Sequence, residues 1–281
     1  MRALHFVFGL AIALALARCA HAPPPLEIVS LAPAAPGLVR PERIVYTPAD
    51  ELLPTVSSDG RRVAYVTTES GNLDIAVKDL TTGSVVPLTV AAADDFDPSF
   101  APKSNRILIA SRREDAKGDV YVIDADGTDP KRLTTADTAD RQPVFSPDEM
   151  FIYFTRAETL GEEHIAVIDL DAEITRVLSP TPGFDSAPSP DGKYLIYTAP
   201  PGVGGRRHPH LVALRLTDGA TRALTLGESP AGFGRFVSTS QIVMVRFADD
   251  DDADGRVDAN DRASLWSLQV SMEGLFGGDQ S

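Results

Sequence analysis

Seven aspartates crowd residues 249–261 of this chain, and most of them fall in a pattern. In the twelve-residue stretch DDDADGRVDAND, Asp250, Asp252, Asp254, Asp258 and Asp261 occupy positions 1, 3, 5, 9 and 12. Gly255 stands at position 6, where a calcium loop must turn sharply, and Arg256 offers its backbone carbonyl at position 7. Val257 follows at position 8, where an apolar residue anchors such a loop to the core. Calcium takes six to eight hard oxygens. The spacing therefore predicts a calcium site built from Asp250, Asp252, Asp254, Arg256, Asp258 and Asp261. The bland alternative is a solvated acidic hairpin tip, but like charges this dense repel one another unless a cation offsets them. Asp124-Ala125-Asp126-Gly127 supplies a control, because Val122 and Leu133 would fall at positions 1 and 12. That stretch is expected to be only a turn.

The single cysteine, Cys19, excludes an internal disulfide and a thiolate metal cluster. It lies just behind Arg2 and the apolar run Leu4 to Ala17, which is too short to span a membrane and suits a secretory signal. Leu16-Ala17-Arg18-Cys19 resembles a bacterial lipobox, which implies lipidation of Cys19 and a membrane anchor. Arg18 stands where that motif usually has a small residue, and cleavage after Ala17 or Ala22 to release a secreted protein is the rival reading. Either way the chain is expected to be exported.

Other reactive types lack partners. In His208-Pro209-His210 the proline separates the rings and no carboxylate is near in sequence, so a solvated loop is expected. Pro200 to Gly205 is glycine-rich but lacks the Lys-Ser/Thr of a phosphate loop, and reads as a long loop. His164 opens a strand as a surface or interface residue. No Gly-x-Ser-x-Gly elbow exists. The net charge of −14 opposes binding to a phosphate backbone, so nucleic acid is not expected as a partner.

The elements that must position the acidic loop form a repeat. Leu53-Pro54-Thr55-Val56-Ser57-Ser58-Asp59-Gly60 leads into Val63 to Val66, then Asp74 to Val77, then Pro87-Leu88-Thr89. Asp97 to Thr134 is a second copy. A third runs from Gln142-Pro143-Val144-Phe145-Ser146-Pro147-Asp148 through Phe151 to Thr155 and His164 to Leu170 to Val177-Leu178-Ser179. A fourth begins at Ser189-Pro190-Asp191-Gly192 and ends at Ala223-Leu224-Thr225. Ser57, Ala101, Ser146 and Ser189 stand 44, 45 and 43 residues apart. Such a period, with alternating apolar runs between Pro/Asp/Gly turns, predicts an all-β propeller of four-stranded blades. Asp59, Asp148 and Asp191 are then turn residues, since Pro presets φ, Asp bonds nearby amides and Gly tolerates positive φ.

At these residues the repeat resembles the TolB-type, WD-like β-propeller repeat of bacterial exported proteins, from about residue 43 to 270. Members of that family are mostly binding platforms, as in the periplasmic Tol-Pal system, or propeller domains attached to peptidases. The acidic loop resembles the dockerin-type loop, which also ends in Asp, whereas EF-hands end in Glu; the run Ile242 to Phe247 before it is a strand, so the likeness is confined to the loop. A fifth unit comprises Phe233 to Val237, Gln241 to Phe247 and Ser264 to Val270, without a closing Leu-Thr. Arg43 to Thr47 sits in the register of a fourth strand and is expected to complete that blade and close the ring.

The sequence thus predicts a signal peptide or lipobox (1–22), an Ala/Pro-rich linker (23–42) and a propeller (43–281) of about five blades, with six as the alternative. The leading reading is a non-enzymatic periplasmic or outer-membrane-anchored scaffold that binds an envelope protein partner, with calcium in its last blade. The rivals are a propeller hydrolase or lyase with a channel site, and a sensor module of a larger propeller family. An enzyme would need His, Arg or carboxylate groups converging from several blades, and the inner strands are expected to supply few.

Overall fold

The computed structural model describes residues 44–45, 47–158, 161–226, 229–247 and 263–277. The chain divides into two units, 1–46 and 47–281. Every described strand belongs to the second.

Four four-stranded antiparallel meanders follow one another. The first is β1 (Glu51–Val56), β2 (Arg62–Thr67), β3 (Asp74–Asp79) and β4 (Val85–Pro87), and the second is β5 (Asp95–Phe100), β6 (Arg106–Ser111), β7 (Asp119–Asp124) and β8 (Lys131–Arg132). The third is β9 (Ala139–Phe145), β10 (Phe151–Ala157), β11 (Glu163–Asp169) and β12 (Ile174–Val177). The fourth is β13 (Phe184–Pro188), β14 (Tyr194–Ala199), β15 (His210–Arg215) and β16 (Thr221–Ala223). A fifth sheet has β17 (Ala231–Ser238), β18 (Gln241–Phe247) and β19 (Ala263–Gln269), followed by a short helix α1 (Met272–Gly277). These are five propeller blades. The strand expected to complete the fifth, 43–47, lies partly outside the described residues, and Ile44, Val45 and Thr47 carry no strand assignment.

The repeated motifs each have a local task. In three blades a turn serine (Ser57, Ser146, Ser189) donates to the turn aspartate at 2.5 to 2.6 Å and accepts the N–H that opens the next strand at 2.9 to 3.0 Å. These bonds hold Asp59 and Asp148 below the usual carboxylate range, with the serine hydroxyl as the main cause. The aspartates are turn residues, as the sequence implied. Asp126 likewise accepts from Thr128 N–H and hydroxyl.

The closing Leu-Thr is a latch. Thr89, Thr134, Ser179 and Thr225 each accept, at 2.9 to 3.0 Å, the backbone N–H near the start of their own blade's third strand. In blades one and two the hydroxyl also donates, at 3.1 Å, to a buried aspartate, Asp74 or Asp119. In blades three and four that aspartate's register position holds His164 and His210. This corrects the expectation of a solvated His-Pro-His loop, because His210 is buried inside β15. Burial holds its imidazole below the ordinary range, which favours the neutral ring.

Apolar cores lie between successive blades. Ile75 and Val77 meet Ile107, Ile109 and Tyr121 between blades one and two. Leu108 and Val120 meet Ile152 and Phe154 in the next interface, and Tyr153 and Ile165 meet Leu195 and Tyr197 in the one after. Between blades four and five, Ile196 and Leu211 meet Ile242 and Met244. Phe276 of α1 covers this interface by stacking on Tyr194 at 5.5 Å between ring centres, with Arg215 and Arg222 over its ring. Among the described residues no such cluster joins blade five to blade one, and Leu265 on β19 is 82% exposed.

Candidate functional site

The first strand of each blade is its innermost, and all five share one irregularity. The ladder to the second strand slips next to Leu53, Asp97, Gln142, Asp185 and Phe233, and each of these residues has φ between 49° and 55°. Left-handed backbone at non-glycine residues costs roughly 1 kcal/mol or more and persists only where the surroundings impose it. Here the bulge turns one backbone N–H per blade out of the ladder. Three of these N–H groups find side-chain acceptors on the preceding blade.

Gln142 N–H donates to Asp97 Oδ2 at 2.9 Å, and Asp185 N–H donates to Gln142 Oε1 and Thr155 Oγ1, both at 3.1 Å. Phe233 N–H donates to Thr198 Oγ1 at 3.0 Å. Thr155 and Thr198 stand in the same register of blades three and four, whereas blade two has Ala110 there. Asp97 supplies the acceptor that Ala110 lacks. The bulges thus tie blade two to three, three to four and four to five along the axis.

The same residues gather charge. Arg235 grips Asp185 through two parallel bonds of 2.7 and 2.8 Å, and Arg141 pairs with Glu163. The Asp185 side chain is only 6% exposed, while that of Arg235 is 53% exposed. Asp97 sits among these groups. Burial pushes its carboxyl up to about 6, against the opposing Gln142 N–H and Arg141, and Asp185 adds to the rise. A carboxylate that titrates near neutrality beside a second carboxylate and two guanidiniums can hold or release a proton, or meet a charged group of a ligand entering the axis.

The expectation that the inner strands supply few convergent groups is thus corrected. Asp97, Arg141, Gln142, Asp185 and Arg235 come from four blades. The sequence signal was present in the repeat itself, because Asp97, Gln142 and Asp185 stand four residues before the turn positions Ala101, Ser146 and Ser189. Aligning the repeats on those turns, then asking what lies upstream, would have found them.

One rim, where first strands begin, carries further buried acids. Asp95, Asp119 and Asp140 are fully buried and paired with Arg113, Arg132 and Arg156 at 2.7 to 2.9 Å. Arg156 is bidentate to Asp140 and lies over the Phe154 ring. Desolvated pairs of this kind hold the rim loops in fixed positions.

The sequence-derived calcium residues, Asp250, Asp252, Asp254, Arg256, Asp258 and Asp261, lie outside the described residues, as does Cys19. The flanking strands are described. β18 and β19 pair without a slip up to Phe247 opposite Ala263, so residues 248–262 link two paired strand ends at the same rim as the buried acids. Among the described residues no group of three or more His, Cys, Asp or Glu is placed to hold a metal ion.

Five meanders with bulged inner strands define a β-propeller built from degenerate repeats. The model of the TolB beta propeller domain matches residues 39–232, well over half of the chain, and the chain belongs to that family. Among curated proteins it is similar to the Tol-Pal system protein TolB of Xanthomonas campestris, at 35% identity over 94 residues, covering 33% of this chain and 21% of that relative. The chain thus matches about a fifth of the length of such relatives. Among solved structures it is similar to TolB from Acinetobacter baumannii, with TM-score 0.65 and 20% identity over 82% of this chain and 54% of that one. A putative TolB from Agrobacterium tumefaciens gives TM-score 0.66 and 17% identity over 81% of this chain and 79% of that one. At such identities these two structures establish the fold alone.

Proposed function

We propose that this chain is a non-enzymatic propeller of the cell envelope that presents one rim and the axial mouth to an envelope protein partner. The observation that carries the reading is the commitment of the axial and rim charges to structure. Asp185 is held by two bonds from Arg235, Asp97 accepts an inter-blade N–H, and the buried rim aspartates Asp95, Asp119 and Asp140 each have an arginine. Such pairing yields a rigid frame for loops, which suits recognition more than turnover. The naming of relatives as Tol-Pal system proteins supports a partner within an envelope assembly. Chemical crosslinking in the cell followed by mass spectrometry tests this, and the expected result is enrichment of an envelope protein.

Two finer features belong to the same reading. Asp250, Asp252, Asp254, the Arg256 carbonyl, Asp258 and Asp261 bind calcium, which offsets the loop's charge and pins residues 248–262 between β18 and β19. Cys19 carries a lipid that holds the propeller at a membrane. Calorimetry with millimolar calcium on the purified protein tests the first, and loss of heat in D250N/D261N is expected. Labelling with radioactive palmitate, compared with Cys19→Ser, tests the second.

One observation favours a propeller hydrolase or lyase as a second reading. A carboxyl held near 6 at the axis has the protonation behaviour of a general acid–base. Activity against polysaccharide or peptide substrates that disappears in Asp97→Asn would establish it.

A further inference from the structure

Residues 200–209 link β14 to β15 at the rim where first strands begin, since the Pro209 carbonyl accepts the Ala231 N–H that opens β17 at 3.0 Å. The corresponding links of the other blades are shorter, at 68–73, 112–118 and 158–162. The longer link is held in place. Val203 packs against the core shared by blades three and four, Gly202 N–H donates to the Arg206 carbonyl at 2.7 Å, and His210 Nδ1 bonds the His208 carbonyl at 3.3 Å. Pro209 and His210 are buried where the link joins β15.

This loop carries Arg206 and Arg207 side by side, and no acid. The link of blade two also carries cations, and all three are paired: Arg112 with Asp94, Arg113 with Asp95 and Lys117 with Asp137, at 2.5 to 2.9 Å. The links of blades one and three carry none. Arg206 and Arg207 differ, because neither has an ion pair among the described residues. Arg206 is the more constrained of the two. Its Nη1 lies so close over Gly204 that an added Cβ there would stand 2.7 Å from it, and its Nε is buried with no hydrogen-bond partner. A guanidinium that has lost water at one nitrogen and gained no acceptor is left without compensation. Its field also reaches inward, where it adds to the burial that keeps the His210 imidazole neutral. No described carboxylate acts on that ring to oppose it.

We propose that the 200–209 loop receives an acidic segment of a protein partner, with the Arg206 and Arg207 guanidiniums pairing with its Asp or Glu carboxylates. The inference rests on the rim reading above and gives the contact a chemistry. A planar guanidinium matches a carboxylate through two parallel bonds. A membrane surface is instead bound by larger groups of cations beside an apolar anchor, and here Val203 is turned into the core. The chain's net charge of −14 repels acidic partners elsewhere, which confines such a contact to this loop.

The test is calorimetry on the purified full chain at low salt, with acetyl-Asp-Glu-Asp-Glu-amide against the neutral acetyl-Asn-Gln-Asn-Gln-amide. Because the probe is a defined peptide, its failure is distinct from a failure of the in-cell crosslinking that tests the rim reading. Heat from the acidic peptide alone, weakening as salt is raised, is the expected result. In R206Q/R207Q the affinity is expected to fall roughly tenfold or more, with an unchanged melting temperature because neither side chain has an ion pair to lose. Arg206→Lys keeps the charge without the planar fork, and a fall of roughly threefold is expected. No heat at several millimolar peptide overturns the proposal, as does an affinity unmoved in R206Q/R207Q. Heat from inorganic phosphate without heat from the peptide also overturns it, by assigning a phosphate source. So does peptide binding that appears only in D250N/D252N/D254N/D258N/D261N, which would assign the two arginines to this chain's own acidic stretch.

Discussion

Asp97 is where charge and fold bear most directly on each other. Its folded-state carboxyl titrates near 6, above the 3.8 of an unperturbed aspartate, so the folded chain binds this proton more tightly than the unfolded one does. The sign follows: its contribution to stability is full below about pH 4 and is lost as pH rises through about 6. Asp97→Asn keeps an oxygen for Gln142 N–H and removes the titration. Relative to the parent, this variant is expected to gain stability between pH 4 and pH 7, by up to roughly 3 kcal/mol. Urea melts at the two pH values measure it. Arg235→Met, by contrast, strands the buried Asp185 carboxylate. A loss of about 1 to 3 kcal/mol is expected, below the full value for a buried pair because the Arg235 side chain is itself 53% exposed.

At the scale of the element, close approach explains what the repeat tolerates. Gly183 enters β13 against Tyr197, where an added Cβ would lie 2.2 Å from the ring. Gly183→Ala is expected to cost about 1 to 3 kcal/mol by overpacking, read as a shift in the urea midpoint. The latch can be tested in the same way: Thr134→Val removes the acceptor for Val120 N–H and a donor to buried Asp119, and about 1 to 3 kcal/mol of stability is expected to go with it. Strands, turns and latches of four blades were legible because each leaves a periodic mark of Pro, Asp, Gly and Leu-Thr. The axial cluster was harder to read because its members differ in type from blade to blade, with Asp, Gln, Asp and Phe at one shared backbone position. What repeats there is a left-handed φ, which non-glycine residues do not announce. Helix α1 was missed because six residues leave no periodicity, and its stability comes from Phe276 on Tyr194.

For the whole molecule, the repeat supplies a scaffold and the departures from it mark the sites. His164 and His210 depart at the latches, and residues 248–262 depart where a short hairpin would suffice. The strand ends that flank the acidic stretch, Phe247 and Ala263, lie at the rim of the buried acids, and that is the rim on which the proposed envelope partner is tested. The most direct measurement is site-specific photo-crosslinking in the cell, with the reactive residue at Glu114 on that rim and, as the control, at Thr82 on the opposite one. An adduct with one envelope protein from position 114, absent from position 82, is the result expected of a rim-presenting scaffold; equal labelling from both positions, or none from position 114, would contradict it.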